Sequence, residues 1–455
     1  MLRSLLLTVM FSAVAFAQSP QVTWAVRAGG LKNDKTRGLC VDEAGNVYMT
    51  GEFTGEADFG DKKLTSRGDL DFFVAKYDAT GKCIWARQGG GSKIDRGYGV
   101  AVDHAGNVFV TGHYQSEDGE FDGVKLPPAG NYDVFTAKYD AAGKLLWVRT
   151  GGGAGYDYGH GVGVDTAGNC YVVAGVVKDA KFDGRDYPSG TTRALVIKYS
   201  PDGKLLWLTQ SEGDKGSASA GNIAVDAAGN SWICGGISGD LAYGEAKLAS
   251  AGQRNFYIVK IDPSGKPLWA AQSAGKTEGG GGSIGVDAAG RAYVCGMFKG
   301  TTTFGRESFT SVDNYDILVA AVDPAGQWLW AKHAGGKDID YALGLTADPR
   351  GGCYVTGEFS STCDFFGVKK MTPVSLPAAK RTERDLYLAH FTADGTPASV
   401  EQHGGPGGDY CYCVALHEKT NTLYLSGAFN GVTKYGNVEL KAIGSNDIML
   451  IQLKR

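Results

Sequence analysis

Five aspartates, Asp34, Asp95, Asp157, Asp340 and Asp409, each stand eight residues ahead of a recurring turn position, at Asp42, Asp103, Asp165, Asp348 and His417 respectively. In one further copy Glu278 lies a single place off this spacing, and in another the position holds Ala218. A second set, Asp71, Asp133, Asp316, Asp385 and Asp447, opens a later segment of the same unit. Hard carboxylate oxygens gathered on one face can hold a cation such as calcium, and two carboxyls spaced for sugar chemistry can hydrolyse a glycosidic bond. Aromatic and imidazole side chains accompany the acids at Tyr98, Tyr158, His160, Tyr341, Tyr410 and Tyr412, which suits a sugar ring stacked on tyrosine. The same acids can instead cap nearby backbone amides and hold loops in place. Acids that obey a repeat serve the architecture first, so capping is the favoured reading. Residues that break the repeat are the better ligand candidates: Arg37, Tyr98, His160 and Tyr412 share one position yet differ chemically. The candidate ligand-binding set is therefore these four with Asp34, Asp95, Asp157, Asp340 and Asp409.

Other chemistries find little support. No Gly-x-Ser-x-Gly elbow is present, the seven histidines include no metal-spaced pair, and no Cys-x-x-Cys is found. Basic residues cluster only at Lys369, Lys370, Lys380, Arg381 and Arg384, inside one long connection from 360 to 384, so nucleic acid is not an expected partner.

The elements that must position these residues follow from a repeat. The turn aspartate recurs at 42, 103, 165, 226, 287 and 348, about 61 residues apart, with a degenerate seventh copy at His417. In the second copy the runs 99–103, 107–112, 133–139 and 144–149 are rich in Val, Phe, Tyr, Trp and Thr, at strand length. Asp-x-x-Gly-Asn joins the first two and Tyr-Asp-x-x-Gly-Lys the last two, both hairpin turns. Each copy is thus a four-stranded antiparallel sheet with apolar and small residues on both faces, needing a neighbour on each side. The expected fold class is all-β: a seven-bladed β-propeller, with an open β-solenoid as the less fitting alternative. Trp85, Trp147, Trp207, Trp269 and Trp330 mark the outermost strands, with Val400 at the same position once. The last copy stops at Arg455 after its third strand, while a matching segment, Thr23 to Gly30, precedes the first copy. Trp24 is therefore expected to complete the last blade and close the ring. The connections after each Trp, and those such as Thr54 to Leu70, read as long loops on one face.

Residues 1–17 have the makeup of a secretory signal peptide, with Arg3, an apolar run and an Ala15-Phe16-Ala17 end. Residues 18–455 are expected to form a single propeller domain, exported to the periplasm, cell surface or medium and not inserted in a membrane. Loss of Arg3 takes the formal charge from −4 to −5, only mildly acidic. The nine cysteines are odd in number and several occupy strand positions (Cys170 with Cys353, Cys234 with Cys295). They read as buried apolar side chains, with a local bridge among Cys363, Cys411 and Cys413 as the alternative.

The segment Gly99 to Gly112 (GVAVDHAGNVFVTG), the entries Gly68-Asp69-Leu70-Asp71 and Gly130-Asn131-Tyr132-Asp133, and the run Tyr77 to Gly90 (YDATGKCIWARQGG) resemble the bacterial SBBP family, named for its β-propeller repeat. That resemblance covers nearly all of the chain after residue 17 and implies an exported or cell-surface propeller, without an assigned activity. The Gly-Val-Ala-Val-Asp-x-x-Gly-Asn segment is also similar to NHL repeats. The Asp-x-x-Gly-Lys-x-x-Trp segment looks like the docking turns of pyrroloquinoline-quinone dehydrogenases, but those carry eight blades and an adjacent Cys-Cys pair, absent here. No cofactor is expected, though calcium is compatible with the acids. The functional expectation is a monomeric, non-enzymatic binding scaffold for a protein or glycan. The alternative is a carbohydrate-active hydrolase or lyase using acids in the funnel.

Overall fold

The computed structural model describes residues 20–127, 130–188, 190–213, 215–374 and 384–455. The segment read as a signal peptide, and Lys380 and Arg381 of the long connection, lie outside the described residues. The chain is all-β, with several antiparallel sheets and one short 3-10 turn at Glu418–Thr420. Among the described residues no helix is long and apolar enough to cross a membrane.

The second copy shows how sequence makes one unit. Its strands Asp95–Val102, Val108–Tyr114, Asp133–Tyr139 and Leu145–Gly153 pair antiparallel in chain order. Asp103 closes the first turn: its Oδ1 accepts the amides of Ala105 (3.0 Å) and Asn107 (2.8 Å), and its Oδ2 accepts Asn107 Nδ2 (2.8 Å). Gly106 supplies the left-handed residue, at φ +78°. All residues of Val108–Tyr114 are buried, as they are in the second strands Val47–Phe53, Cys353–Phe359 and Thr422–Phe429. A strand buried on both faces sits in the middle of stacked sheets, and the hydrophobic clusters accordingly combine residues of adjacent copies.

Each innermost strand contacts those of the copies before and after it. Lys35–Val41 of the first copy contacts both Asp95–Val102 and Asp409–His417. The N-terminal strand Gln21–Gly30 pairs antiparallel with Asp447–Lys454, placing Trp24 opposite Gln452 and Ala25 opposite Ile451. Both ends of the described chain therefore lie in one sheet.

The connections read as long loops are strands. Between second and third strands the chain forms hairpins, among them Glu56–Phe59 with Lys62–Thr65, Glu120–Phe121 with Val124–Lys125, and Cys363–Phe365 with Lys369–Met371. The hairpin tip of one copy pairs with the glycine pair ending the outermost strand of the preceding copy: Phe121 opposite Gly89, Phe182 opposite Gly151, Ala57 opposite Gly30. This explains the glycines. A Cβ at Gly89 would fall 2.3 Å from the Phe72 ring and 2.4 Å from that of Phe121.

The tryptophans fasten neighbouring units. Trp85 Nε1 donates to Ala141 O (3.1 Å) in the turn of the next copy, and its indole lies where a Cβ at Gly143 would be only 2.7 Å away. Trp24, Trp147, Trp207, Trp269 and Trp330 repeat this contact at Ala79, Pro201, Pro263, Pro324 and Ala393. Val400 occupies the one position whose neighbour, built from strands at opposite chain ends, has no such turn. There Arg455 reaches back to Tyr354 and to His390 Nδ1 (3.2 Å) instead.

Two outcomes follow. Removing residues 18–28 exposes the paired edge of Asp447–Lys454, and thermal melting should show a loss of at least about 10 °C, equivalent to a few kcal/mol; an unchanged midpoint would refute the clasp. Gly143→Ala should destabilise by about 3 kcal/mol in urea titrations, combining left-handed strain with collision against Trp85. Gly184→Ala, at φ +73° with nothing within 4 Å, should cost only about 1 kcal/mol.

Candidate ligand-binding cavity

Every innermost strand carries a β-bulge at the same place. The register slips between Thr36 and Gly38, Gly97 and Gly99, Gly159 and Gly161, Gly281 and Ser283, Ala342 and Gly344, and Cys411 and Cys413. In the fourth copy it slips between Ala220 and Ile223. A bulge leaves one residue without a cross-strand partner and turns its side chain out of the sheet. Here those residues are Arg37, Tyr98, His160, Gly221 with Asn222, Gly282, Leu343 and Tyr412, and all of them line one cavity of about 300 Å³. Leu39, Val100, Val162, Ile223, Leu345 and Val414, two residues further along these strands or one beyond the fourth copy's wider bulge, also line it. The flanking glycines let inner strands touch backbone to backbone: a Cβ at Gly38 would lie 2.6 Å from Tyr98 O.

The structure thus brings together the four repeat-breaking residues singled out in the sequence. Arg37 forms a two-point ion pair with buried Glu52, with Nη2 to Oε1 at 2.7 Å and Nε on Oε2. Its guanidinium lies 5.2 Å from the centre of the Tyr98 ring. Burial works against the Arg37 charge, but the charge and hydrogen bonds of Glu52 prevail and hold it above the usual range. Tyr98 meets the His160 ring at 5.9 Å, and Tyr158 flanks His160 at 5.8 Å. Burial, with a smaller effect from Arg254, pushes His160 down to about 4, so its imidazole is neutral at physiological pH. Burial raises the Tyr412 hydroxyl and keeps it protonated.

A second tier at the mouth was not evident from the motifs. Arg96 comes within 3.9 Å of Glu52, and its Nε is buried without a hydrogen-bond partner. His113 is buried, stacks on Tyr132 at 4.3 Å, and is held neutral by burial and by Arg96 and Arg37. Glu358 pairs with Arg384, which lies 4.7 Å over the Tyr341 ring. Lys35 is half-buried and lowered by burial. A usable signal existed: Thr50-Gly51-Glu52, Thr111-Gly112-His113 and Thr356-Gly357-Glu358 repeat two residues and vary the third.

The five aspartates expected around the mouth lie elsewhere. Asp34, Asp95, Asp157, Asp340 and Asp409 are fully buried between copies, with their carboxylates turned to backbone amides instead of the cavity. Asp95 Oδ2 accepts Gly91 N (2.8 Å) and Ser116 Oγ (2.7 Å), and Oδ1 accepts Gln115 N (3.0 Å). Asp157 accepts Gly153 N and Val177 N, both at 2.7 Å. Asp34 accepts Gly30 N (2.7 Å) and Thr54 N (3.1 Å), and Asp340 accepts Gly336 N (2.8 Å) and Ser360 N (3.2 Å). Asp409 accepts Gly405 N (2.8 Å) and the Tyr435 hydroxyl (2.7 Å). Each therefore ties the glycine pair of one copy to its own, where Asp34, Asp95, Asp157 and Asp340 also accept an amide at the start of the next hairpin and Asp409 accepts the Tyr435 hydroxyl.

Acids of the second set sit beside them. A Cβ at Gly90 would be 2.8 Å from both Asp71 Cγ and Asp95 Oδ2. Burial raises Asp34, Asp133 and Asp409 to about 6 and Asp71 and Asp340 to about 7, and proximity of the paired acid adds to it. Among the described residues no group of three or more His, Cys, Asp or Glu is arranged to hold a metal ion. All nine cysteines are free, eight of them buried, so the bridge weighed for Cys363, Cys411 and Cys413 is not formed.

Comparison with known proteins gives relatives of low identity. An uncharacterized WD repeat-containing protein, L264, of Acanthamoeba polyphaga mimivirus is 24% identical over 488 aligned residues, covering 88% of this chain and 35% of that protein. The regulatory protein FlaEY of Caulobacter vibrioides is 28% identical over 193 residues, covering 40% of this chain and 20% of that protein. The chain thus matches about a third and a fifth of these relatives' own lengths. Among solved structures, Sqt1 from Chaetomium thermophilum aligns with a TM-score of 0.43 at 11% identity, covering 94% of this chain and 87% of that one. A protein of unknown function from Bacteroides caccae aligns with a TM-score of 0.39 at 12% identity, covering 75% of this chain and 94% of that one. Residues 84–113, from the outermost strand of the first copy to the second strand of the next, match the family model SBBP, beta-propeller repeat, so the chain carries a segment of that repeat type.

Proposed function

We propose that the chain is an exported, monomeric, seven-bladed propeller closed by its N-terminal strand, and that it acts as a binding scaffold with its ligand seated at the mouth of the axial cavity. Residues 1–17 serve as the export signal and residues 18–455 as one domain. The observation that carries the binding site is the set of bulges. Seven equivalent positions, spared from strand pairing, line one cavity, and among them they carry arginine, tyrosine, histidine, glycine and leucine. A purely architectural position would repeat its residue, as the turn aspartates do. The succession of contacts between inner strands, and the pairing of Gln21–Gly30 with Asp447–Lys454, support closure.

In this reading the buried aspartates hold the units together and are neither calcium ligands nor catalytic acids. Their oxygens are engaged by amides, and two of the carboxylates at the mouth, Glu52 and Glu358, are each held by an arginine. The hydrolase alternative needs two carboxyls free to reach a sugar, and this engagement speaks against it.

Three measurements test these statements. A glycan array probed with the mature protein should give signals that Gly282→Leu abolishes. A Cβ there meets nothing nearer than 3.7 Å, and the next copy already carries Leu343 at the same bulge. Signals indifferent to this plug would place the site elsewhere. The melting temperature should be the same in calcium and in EDTA; a calcium-dependent rise would restore the acids as a cation site.

The third concerns pH. A carboxyl whose pKa is raised in the folded state binds more protons folded than unfolded. Its contribution is complete below about pH 4 and is lost as pH rises through 6 to 7 for Asp34, Asp71, Asp133, Asp340 and Asp409. His113, His160 and His390, lowered by burial, act in the opposite sense as pH falls below 6.5. Asp71→Asn removes one acid term alone. Relative to the parent it should gain about 1–2 kcal/mol in urea titrations on going from pH 5 to pH 8. A difference independent of pH would show that Asp71 is an ordinary ionised carboxylate.

A further inference from the structure

The bulge ring is lopsided. The last, first, second and third copies fill their share with Tyr412, Arg37, Tyr98 and His160, whereas the fourth and fifth place Gly221 and Gly282 there. This glycine side is a lobe walled by backbone. A Cβ at Gly221 would strike Gly281 O at 2.2 Å, while one at Gly282 would meet nothing nearer than Ala342 O at 3.7 Å. Glycine at such a place lets main chain approach a ligand closely. Asn222 lines the same lobe with its Oδ1 taken by Ile223 N at 2.8 Å.

Arg37 lines the cavity, and Lys35, Arg96, Arg254 and Arg384 lie beyond its lining with Glu52, Glu278 and Glu358 among them, on a chain with a formal charge of −4. Arg37 and Arg384 are committed to their glutamates. Arg254 is exposed, lies along Gly236 where a Cβ would be 2.5 Å from its Nε, and forms no ion pair among the described residues. Lys35 forms none either, and the Arg96 Nε has no hydrogen-bond partner. The neutral imidazole of His160 borders the lobe, and the half-buried rings of Tyr98 and Tyr412 line the cavity beyond it.

A flat apolar ring face, a neutral hydrogen-bonding imidazole and an uncommitted guanidinium match three parts of one molecule: the C–H face, the hydroxyls and the carboxylate of a sugar acid. Arginine takes a carboxylate in two-point fashion. The cavity of about 300 Å³ lies at the small end of ligand pockets, adequate for a sugar ring or two. Resting on the binding-scaffold reading above, we infer that the glycine-walled lobe takes a uronic acid residue of an acidic glycan, with Arg254 on its carboxylate and Tyr98 or Tyr412 against its ring.

The test uses the mature full chain and calorimetric titration with tetragalacturonate, its methyl ester and inorganic phosphate. The acid should bind at least ten-fold more tightly than the ester, and more weakly when salt is raised from 50 to 500 mM. Arg254→Gln, at an exposed position, should erase that preference while leaving the melting temperature unchanged. Gly282→Leu should abolish binding of both sugars. Equal binding of acid and ester, unaffected by Arg254→Gln but lost in Gly282→Leu, overturns the acidic-sugar inference and leaves the cavity as the site. Binding that survives Gly282→Leu in a folded protein overturns the site itself. Phosphate binding as tightly as tetragalacturonate shows recognition of charge alone and also overturns the inference, as does an absence of tetragalacturonate binding at 5 mM.

Discussion

A sheet that buries both of its faces cannot stand in water by itself. The fully buried second strands Val47–Phe53, Val108–Tyr114, Cys353–Phe359 and Thr422–Phe429 impose this condition on their copies, and the remaining features answer it. Small residues on the inner strands permit backbone contact between neighbouring copies. On the outer strands an indole fills the space between copies: Trp85 is 4% exposed, held by Ala141 O and seated on Gly143. The gradient from glycine on the inner strands to tryptophan on the outer ones follows from packing one copy against the next.

Between these extremes the junction is made with carboxylates. A charged group in an apolar seam is costly unless its oxygens are met by donors, and Asp157 meets two amides at 2.7 Å. The glycine pair supplies one of those amides and admits the aromatic tip of the next hairpin, so acid, glycine and hairpin form one fastening. The Val400 seam departs from the tryptophan rule because no turn lies opposite it. Its substitute, Arg455 on Tyr354 and His390, uses hydrogen bonds and ring stacking in place of indole burial.

Repetition made the architecture legible. The Asp-x-x-Gly turns, the tryptophans and the stray strand at Thr23 to Gly30 all appear where the sequence pattern places them. The hairpins did not, because runs such as Glu120–Phe121 are too short to show alternation, and their partner is a glycine segment some thirty residues earlier in the chain. The placement of the acids was missed for a related reason. Spacing along the chain fixes the copy-to-copy position of Asp95, but whether its carboxylate points to the axis or into the seam depends on Gly91 and Ser116 of flanking segments. Arg37, Tyr98, His160 and Tyr412 were found by their disagreement, yet the bulge that exposes them has no residue signature beyond adjacent glycines. Glu52 and His113 escaped because the strand around them reads as core.

The bulges also bear on how such a protein changes. A residue outside the ladder has no cross-strand mate, and at Gly282 even a Cβ would find room. At Gly282 identity is therefore uncoupled from the packing that holds the sheets together, whereas Arg37, Tyr98 and His160 touch in succession and Arg37 holds buried Glu52, so substitutions among these three are coupled. The fold is in this sense modular in its chemistry as well as its shape: repetition supplies the frame, and a point change at such a bulge can alter the cavity lining without the frame being rebuilt.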